Sequence, residues 1–250
     1  MAGREAQLFE RIQADPVYQR FFSEAFPGER RDGAERLFSL STLTRALASF
    51  QRSLLSFNSP WDRFRYRGEK GAISDSARRG EALFFSERLE CYHCHGGLNF
   101  TDNLKHSRLP AGETGFHNTG LYDVDGRGAY PAGQTGLHEL TGDPGDIGRF
   151  RTPSLRNVAV TAPYMHDGSI PDLRSVIREH YAPAGKSARL TGQASARRSE
   201  LIIGFDLNDQ ETDDLVEFLK ALTDPDFLTA SRHADPWEVP GERRAQPVIR

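Results

Sequence analysis

Residues 87–100 read ERLECYHCHGGLNF. The stretch holds the only two cysteines of the chain, Cys91 and Cys94, with His95 directly after the second. Cys-x-x-Cys-His is the attachment signature of c-type haem: each thiol adds to a vinyl group, and the adjacent histidine is set to bind iron. Two other readings compete with it, a redox dithiol and half of a zinc site. A dithiol has no need of His95, and tetrahedral zinc wants two further thiolates or a matched histidine pair. The pattern therefore predicts one covalent haem c, with His95 as its proximal ligand.

Composition narrows the alternatives. The 250 residues carry a formal net charge of -3, and no polybasic tract argues for nucleic acid or an anionic membrane. No apolar run approaches the roughly 20 residues of a membrane span. The start, MAGREAQLFERIQADP, is charged and amphipathic where a signal peptide would be apolar. Two cysteines make no disulfide framework, and 23 glycines with 14 prolines, concentrated in the middle, predict much irregular chain.

Helical spacing of apolar residues recurs in AQLFERI, YQRFFSEAF and RLFSLSTLTRALASFQRSLLSF. NSPWDRFRYRGEKGAIS reads as a linker, after which SDSARRGEALFF is a capped helix that delivers the chain to Cys91. From Gly96 to Gly148 periodicity is lost. Beyond it come a short extended piece, a Pro-bounded turn, a helix favoured at its start by Pro171 and Asp172, and the clearest helix, NDQETDDLVEFLKALTD. The expected division is a helical segment over 1–70, a haem domain over 71–228 and a tail over 229–250.

A haem iron held by His95 has a sixth position, for which Met165, His180 and Tyr181 are the candidates; thioether raises the potential and phenolate stabilises ferric iron. Arg151 and Arg156 flank the PSL segment and can pair with haem propionates in a bidentate way. His106, His117 and His138 are scattered through the loop region and read as surface residues. Trp61 and Trp237 could relay oxidising equivalents, indole being comparatively easy to oxidise, yet their setting in linker and tail predicts packing. Asp167 reads as a turn residue.

Longer motifs carry a resemblance. FRTPSLRNVAVTAPYMHDGSIPDL with REHY beyond it, GFDLNDQETDDLVEFLKALTD, and ADPVYQRFFSEAFPGE upstream of RRGEALFF and CYHCH together resemble the C-terminal portion of the bacterial di-haem cytochrome c peroxidase and MauG family. FHNTGLYDV and the HY ending are more similar to the MauG-like branch, including MbnH-type enzymes, than to peroxidases with methionine-ligated haem. The resemblance implies a mainly α, cytochrome c-like haem domain with long irregular loops and few or no short strands. It makes Cys91 and Cys94 the thioether sites, His95 the proximal ligand and Tyr181 the distal one, ahead of Met165 and its neighbour His180. It also implies a calcium ion bound by the backbone carbonyls of Thr161 and Pro163, a ligand type suited to a hard cation.

Family members carry two haems, one reacting with peroxide and one passing electrons, and the motif here matches the second. The expected role is the electron-transfer domain of such an oxidoreductase, relaying to a peroxide-reacting haem absent from this chain, so that the chain alone lacks peroxidase activity. The alternative is a stand-alone mono-haem carrier without catalysis. The resemblance also implies a redox protein partner or protein substrate, hydrogen peroxide as the family's oxidant, self-association as a dimer, and a periplasmic setting although the chain shows no signal peptide.

Overall fold

Of the chain, the computed structural model describes residues 5–104, 115–185, 188, 192, 195–234, 238–239 and 242–243. Two units divide it, Met1–Leu55 with Ser231–Arg250, and Ser56–Ala230.

In the first unit five helices follow one another: α1 (Glu5–Ala14), α2 (Pro16–Ala25), α3 (Pro27–Arg31), α4 (Ala34–Leu37) and α5 (Leu40–Ser53). Their starts are set by local chemistry. Asp15 caps α2 ahead of a proline at the first helical position, and Ser39 and Thr42 form a reciprocal capping box at the start of α5. Ile12, Phe22, Phe26, Leu37 and Phe38 make the buried cluster of this unit. A short antiparallel pair, Glu238–Val239 with Glu242–Arg243, also belongs to its residues.

The second unit holds the Cys-x-x-Cys-His motif. It starts with α6 (Pro60–Arg67), where the sequence read as a linker. Pro60 starts this helix instead of breaking it, because Ser59 and Asp62 build a second capping box around it. Trp61 and Phe64, three apart, then turn inward to the core. Ser74 caps α7 (Asp75–Phe84), which leads to the short α8 (Tyr92–His95). Over 96–148 the described chain is mostly irregular, as its composition predicts, with β1 (Phe116–His117), the single-turn α9 (His138–Thr141) and one 3₁₀ turn. β1 pairs antiparallel with β2 (Phe150–Arg151). Asp172 caps α10 (Leu173–Ser175), which widens into a π-helix over Val176–Tyr181. The long helix α11 (Asp209–Ala221) begins at a capping box of Asn208 and Glu211.

Helices α7 and α11 cross at the centre. A Cβ on Gly80 would lie 1.9 Å from the Asp214 carbonyl oxygen, so the two backbones touch where only glycine fits. Around this crossing Phe84, Phe100 and Phe218 are buried, with ring centroids 5.1–6.1 Å apart. Such tilted and edge-on pairs each add about 0.5–1.5 kcal/mol beyond their area burial. Among the described residues this is a mainly helical, cytochrome c-like architecture with long irregular loops and two minimal strand pairs.

Asp214 clamps the crossing. Its carboxylate accepts two bonds from Arg79, at 2.7 and 2.8 Å, one from Ser76 at 2.6 Å and one from Gln210 at 3.0 Å. These donors, Arg79 foremost, hold its pKa at about 2, against an ordinary 3.8. A depressed carboxylate stabilises the fold above its unfolded pKa and loses that contribution as pH falls from about 4 toward 2. Asp214→Asn is expected to cost about 2 kcal/mol at neutral pH and to flatten the acid limb of the stability curve. Urea midpoints from pH 7 to pH 2 measure both, and an unchanged acid limb would show that Asp214 does not drive it.

Candidate haem-binding site

Helix α7 delivers the chain to Cys91 on the surface of the aromatic core, and α8 carries Tyr92–His95 over a single turn. Both sulfurs are free thiols. Burial pushes Cys91 up to about 12; Cys94 rises to about 11, through burial first and the charge of Asp102 second. Thiols held this firmly protonated are poor nucleophiles and poor metal ligands, both of which need thiolate. A thioether sulfur is neutral and suits such surroundings, so the environment fits haem attachment better than a redox dithiol or a zinc site.

His95 is oriented from behind. Its Nδ1 lies 3.1 Å from the Phe100 carbonyl oxygen, which leaves Nε2 for a metal. Burial lowers its pKa, opposed by that carbonyl, by Asp102 and by the Pro153 carbonyl, and a neutral ring is what ligation requires. Phe100 reaches this position with a left-handed backbone, φ +51, its ring fully buried in the core. The segment 152–156 braces the same loop: Thr101 donates to the Thr152 carbonyl at 2.8 Å and Ser154 to the Asn99 carbonyl at 2.6 Å.

Tyr181 ends the π-helix, where Ala182 N donates to the Ile177 carbonyl five residues back at 2.8 Å. π-turns are rare and frequent at functional sites. The phenol is driven well above its usual range by burial first, then by Cys94 and Cys91 and by Tyr130. His180 is fully buried beside it, ring centroids 4.7 Å apart. Met165 is half-buried in the HDG turn with φ +71.

Arg156 is bound to a buried carboxylate. It grips Asp62 with two bonds, at 2.8 and 3.0 Å, and donates to the Leu98 carbonyl, in a pair with side chains 7% and 3% exposed. Burial alone would raise the Asp62 pKa, but Arg156 and Ser59 hold it below the ordinary value. The pair ties α6 to the haem loop, because a buried carboxylate needs its charge met. Arg151 is exposed, its guanidinium 5.6 Å from the Phe116 ring centre. Thr161 and Pro163 are exposed on either side of a cis Ala162–Pro163 bond. Their carbonyl oxygens accept no hydrogen bond among the described residues.

Two arrangements escaped the sequence. His117 is half-buried and bonds Asp102 at 2.6 Å, and the two gather with Cys94. The cue was FHN, returning from the loop to pair with FRT. Tyr122 donates to Asp167 at 2.5 Å, giving that turn residue a partner 45 positions away. His138 is half-buried and bonds the Asp143 carbonyl, while His106 and Trp237 lie outside the described residues.

The chain has relatives among known proteins in both sequence and structure. The profile of the family described as "Di-haem cytochrome c peroxidase" matches residues 1–71. A solved structure of a MauG-like protein associated with microbial copper homeostasis superposes with a TM-score of 0.81 and 43% identity, over 95% of this chain and 67% of that one. The methylamine utilization protein MauG of Methylophilus methylotrophus is 35% identical over 219 residues, 87% of this chain and 55% of the relative. Cytochrome-c peroxidase IdrP1 of Pseudomonas sp. (strain SCT) is 36% identical over 218 residues, 82% and 54%. The chain belongs to the di-haem cytochrome c peroxidase and MauG family of c-type haem oxidoreductases. It spans about half the length of these curated relatives.

Proposed function

We propose that this chain is the electron-transfer haem c portion of a di-haem oxidoreductase of the peroxidase and MauG type. The observation that carries the reading is one Cys-x-x-Cys-His motif packed on the aromatic core, with His95 Nδ1 held by the Phe100 carbonyl. Cys91 and Cys94 would hold one haem through thioethers, His95 Nε2 would bind iron on one side and Tyr181 on the other. Bound haem supplies one-electron exchange between ferric and ferrous iron.

The chain's residues set its character. The Phe100 carbonyl fixes the His95 tautomer and makes the ring more basic. The Tyr181 oxygen would give its proton to solvent on ligation, since a bound cation overturns the burial that keeps the phenol neutral. Two side-chain ligands leave no coordination position for peroxide, which favours relay over peroxide chemistry. Arg151 is the propionate partner in this reading, and the Thr161 and Pro163 carbonyls are calcium ligands. The whole enzyme would use hydrogen peroxide to oxidise a redox protein or a protein side chain in the periplasm. No helix among the described residues is long and apolar enough to cross a membrane.

Tyr181→Phe is expected to change the low-spin haem spectrum and to raise the reduction potential by about 0.1 V or more, a fraction of the roughly 0.8 V that axial ligands span. Met165→Leu is expected to leave both unchanged. The reverse pattern in optical spectra and potentiometric titration would assign the sixth position to Met165.

A further inference from the structure

Trp61, which its sequence setting marks for ordinary packing, lies between the protein surface and the proximal histidine. Only 4% exposed, its indole meets Tyr66 edge-on at 5.5 Å between ring centres and Phe100 at 4.8 Å. Phe100 in turn presents its carbonyl oxygen to His95 Nδ1 at 3.1 Å. Tyr66 is 61% exposed, at a cleft of about 480 Å³ lined also by Trp61, Arg65, Glu81, Phe85 and Leu98. The indole Nε1 donates to the Glu81 carboxylate at 2.8 Å. Packing alone would be served by any apolar ring here, or by a carbonyl acceptor. A carboxylate also offers a base, at the atom whose proton becomes strongly acidic once indole loses an electron.

We infer that Trp61, with Glu81 as its proton acceptor and Tyr66 as its outer partner, is a one-electron relay between this cleft and His95. The inference rests on the haem reading of Cys91, Cys94 and His95. In the inner step one electron would leave the indole through Phe100 and its carbonyl toward His95, its acceptor being the haem held there once a peroxide-oxidised haem of the whole enzyme has drawn one electron from its ferric state. The Nε1–H bond breaks and the proton bonds to Glu81, leaving a neutral indolyl radical. In the outer step Tyr66 reduces that radical by one electron, the proton returns from Glu81 to Nε1, and the phenolic proton leaves to the water of the cleft. A reducing protein substrate then restores Tyr66. Phe100 couples the two ends without being oxidised, benzene rings being far harder to oxidise than indole or phenol.

The test uses the haem-loaded chain, oxidised by flash-quench with ruthenium tris-bipyridine. Return of the haem is followed optically, and radicals are trapped by rapid freezing for high-field electron paramagnetic resonance. The chain as it stands should show a tyrosyl radical; Tyr66→Phe should move the signal to a neutral tryptophan radical, and Trp61→Phe should remove the fast return. Glu81→Gln should slow that return about a hundredfold, the order a positioned proton acceptor contributes, and abolish its solvent deuterium isotope effect. Glu81→Gln and Tyr66→Phe keep the test open if Trp61→Phe does not fold. Equal return rates and equal radicals in all variants that carry covalent haem would overturn the relay alone. Absence of covalent haem from the unaltered chain would overturn the haem reading and the relay with it.

Discussion

The double variant Cys91→Ala/Cys94→Ala is expected to leave a host equipped for c-type haem attachment with no covalent haem. The unaltered chain should keep haem through denaturing electrophoresis and stain for it. The expectation follows from the surroundings of the sulfurs. Both thiols sit where burial suppresses ionisation, and both contribute to the upward shift of the Tyr181 phenol. A ligand bound by the folded state alone adds stability by mass action, and a covalent one cannot dissociate. Loss of haem should therefore also lower the melting temperature of the second unit. Covalent haem surviving the double substitution, or a haem-free chain with unaltered melting, would separate this motif from cofactor attachment.

The second large effect is at Gly80. In a solvent-facing helix Gly→Ala gains about 1 kcal/mol of helix propensity. Here the added methyl would meet Asp214 O at 1.9 Å, Asp214 C at 2.5 Å and Phe218 Cβ at 2.8 Å, two of them backbone atoms that cannot swing aside. Overpacking of a rigid contact costs about 1–3 kcal/mol and occasionally more, so the clash outweighs the propensity. Gly80→Ala should lower the unfolding free energy read from urea titration by a net of about 2 kcal/mol, and the loss in Gly80→Val should approach the whole stability of a domain, about 5–15 kcal/mol. A Gly80→Ala chain as stable as its parent would mean that α7 and α11 can separate at little cost.

Much of this was legible beforehand, for identifiable reasons. The helices α7 and α11 announced themselves by caps and period, and Cys91, Cys94 and His95 by a spacing whose chemistry allows few readings. Helix α6 was hidden because Pro60 and the surrounding charges resemble a break; SPWD in fact spells a cap, a first-turn proline and a reciprocal carboxylate. Arg156 was legible as a bidentate cation but its partner was not, since Asp62 lies 94 positions earlier. His180 and Tyr181 are adjacent, and helical period cannot say which faces inward when the helix is π-wound. Both turn inward, His180 fully buried and Tyr181 half-buried. His117 and Asp102 meet through loops with no period to read.

Phe100 has a consequence for the order of assembly. Its ring fills the centre of the aromatic core, its carbonyl steadies His95, and its left-handed backbone persists only while both ends are held. Closing the core and posing the histidine are thus one event in time. Cys91 and Cys94 stand half-buried beside that closed core. A substitution that loosens Phe100 is thus expected to disturb the core and the pose of His95 together.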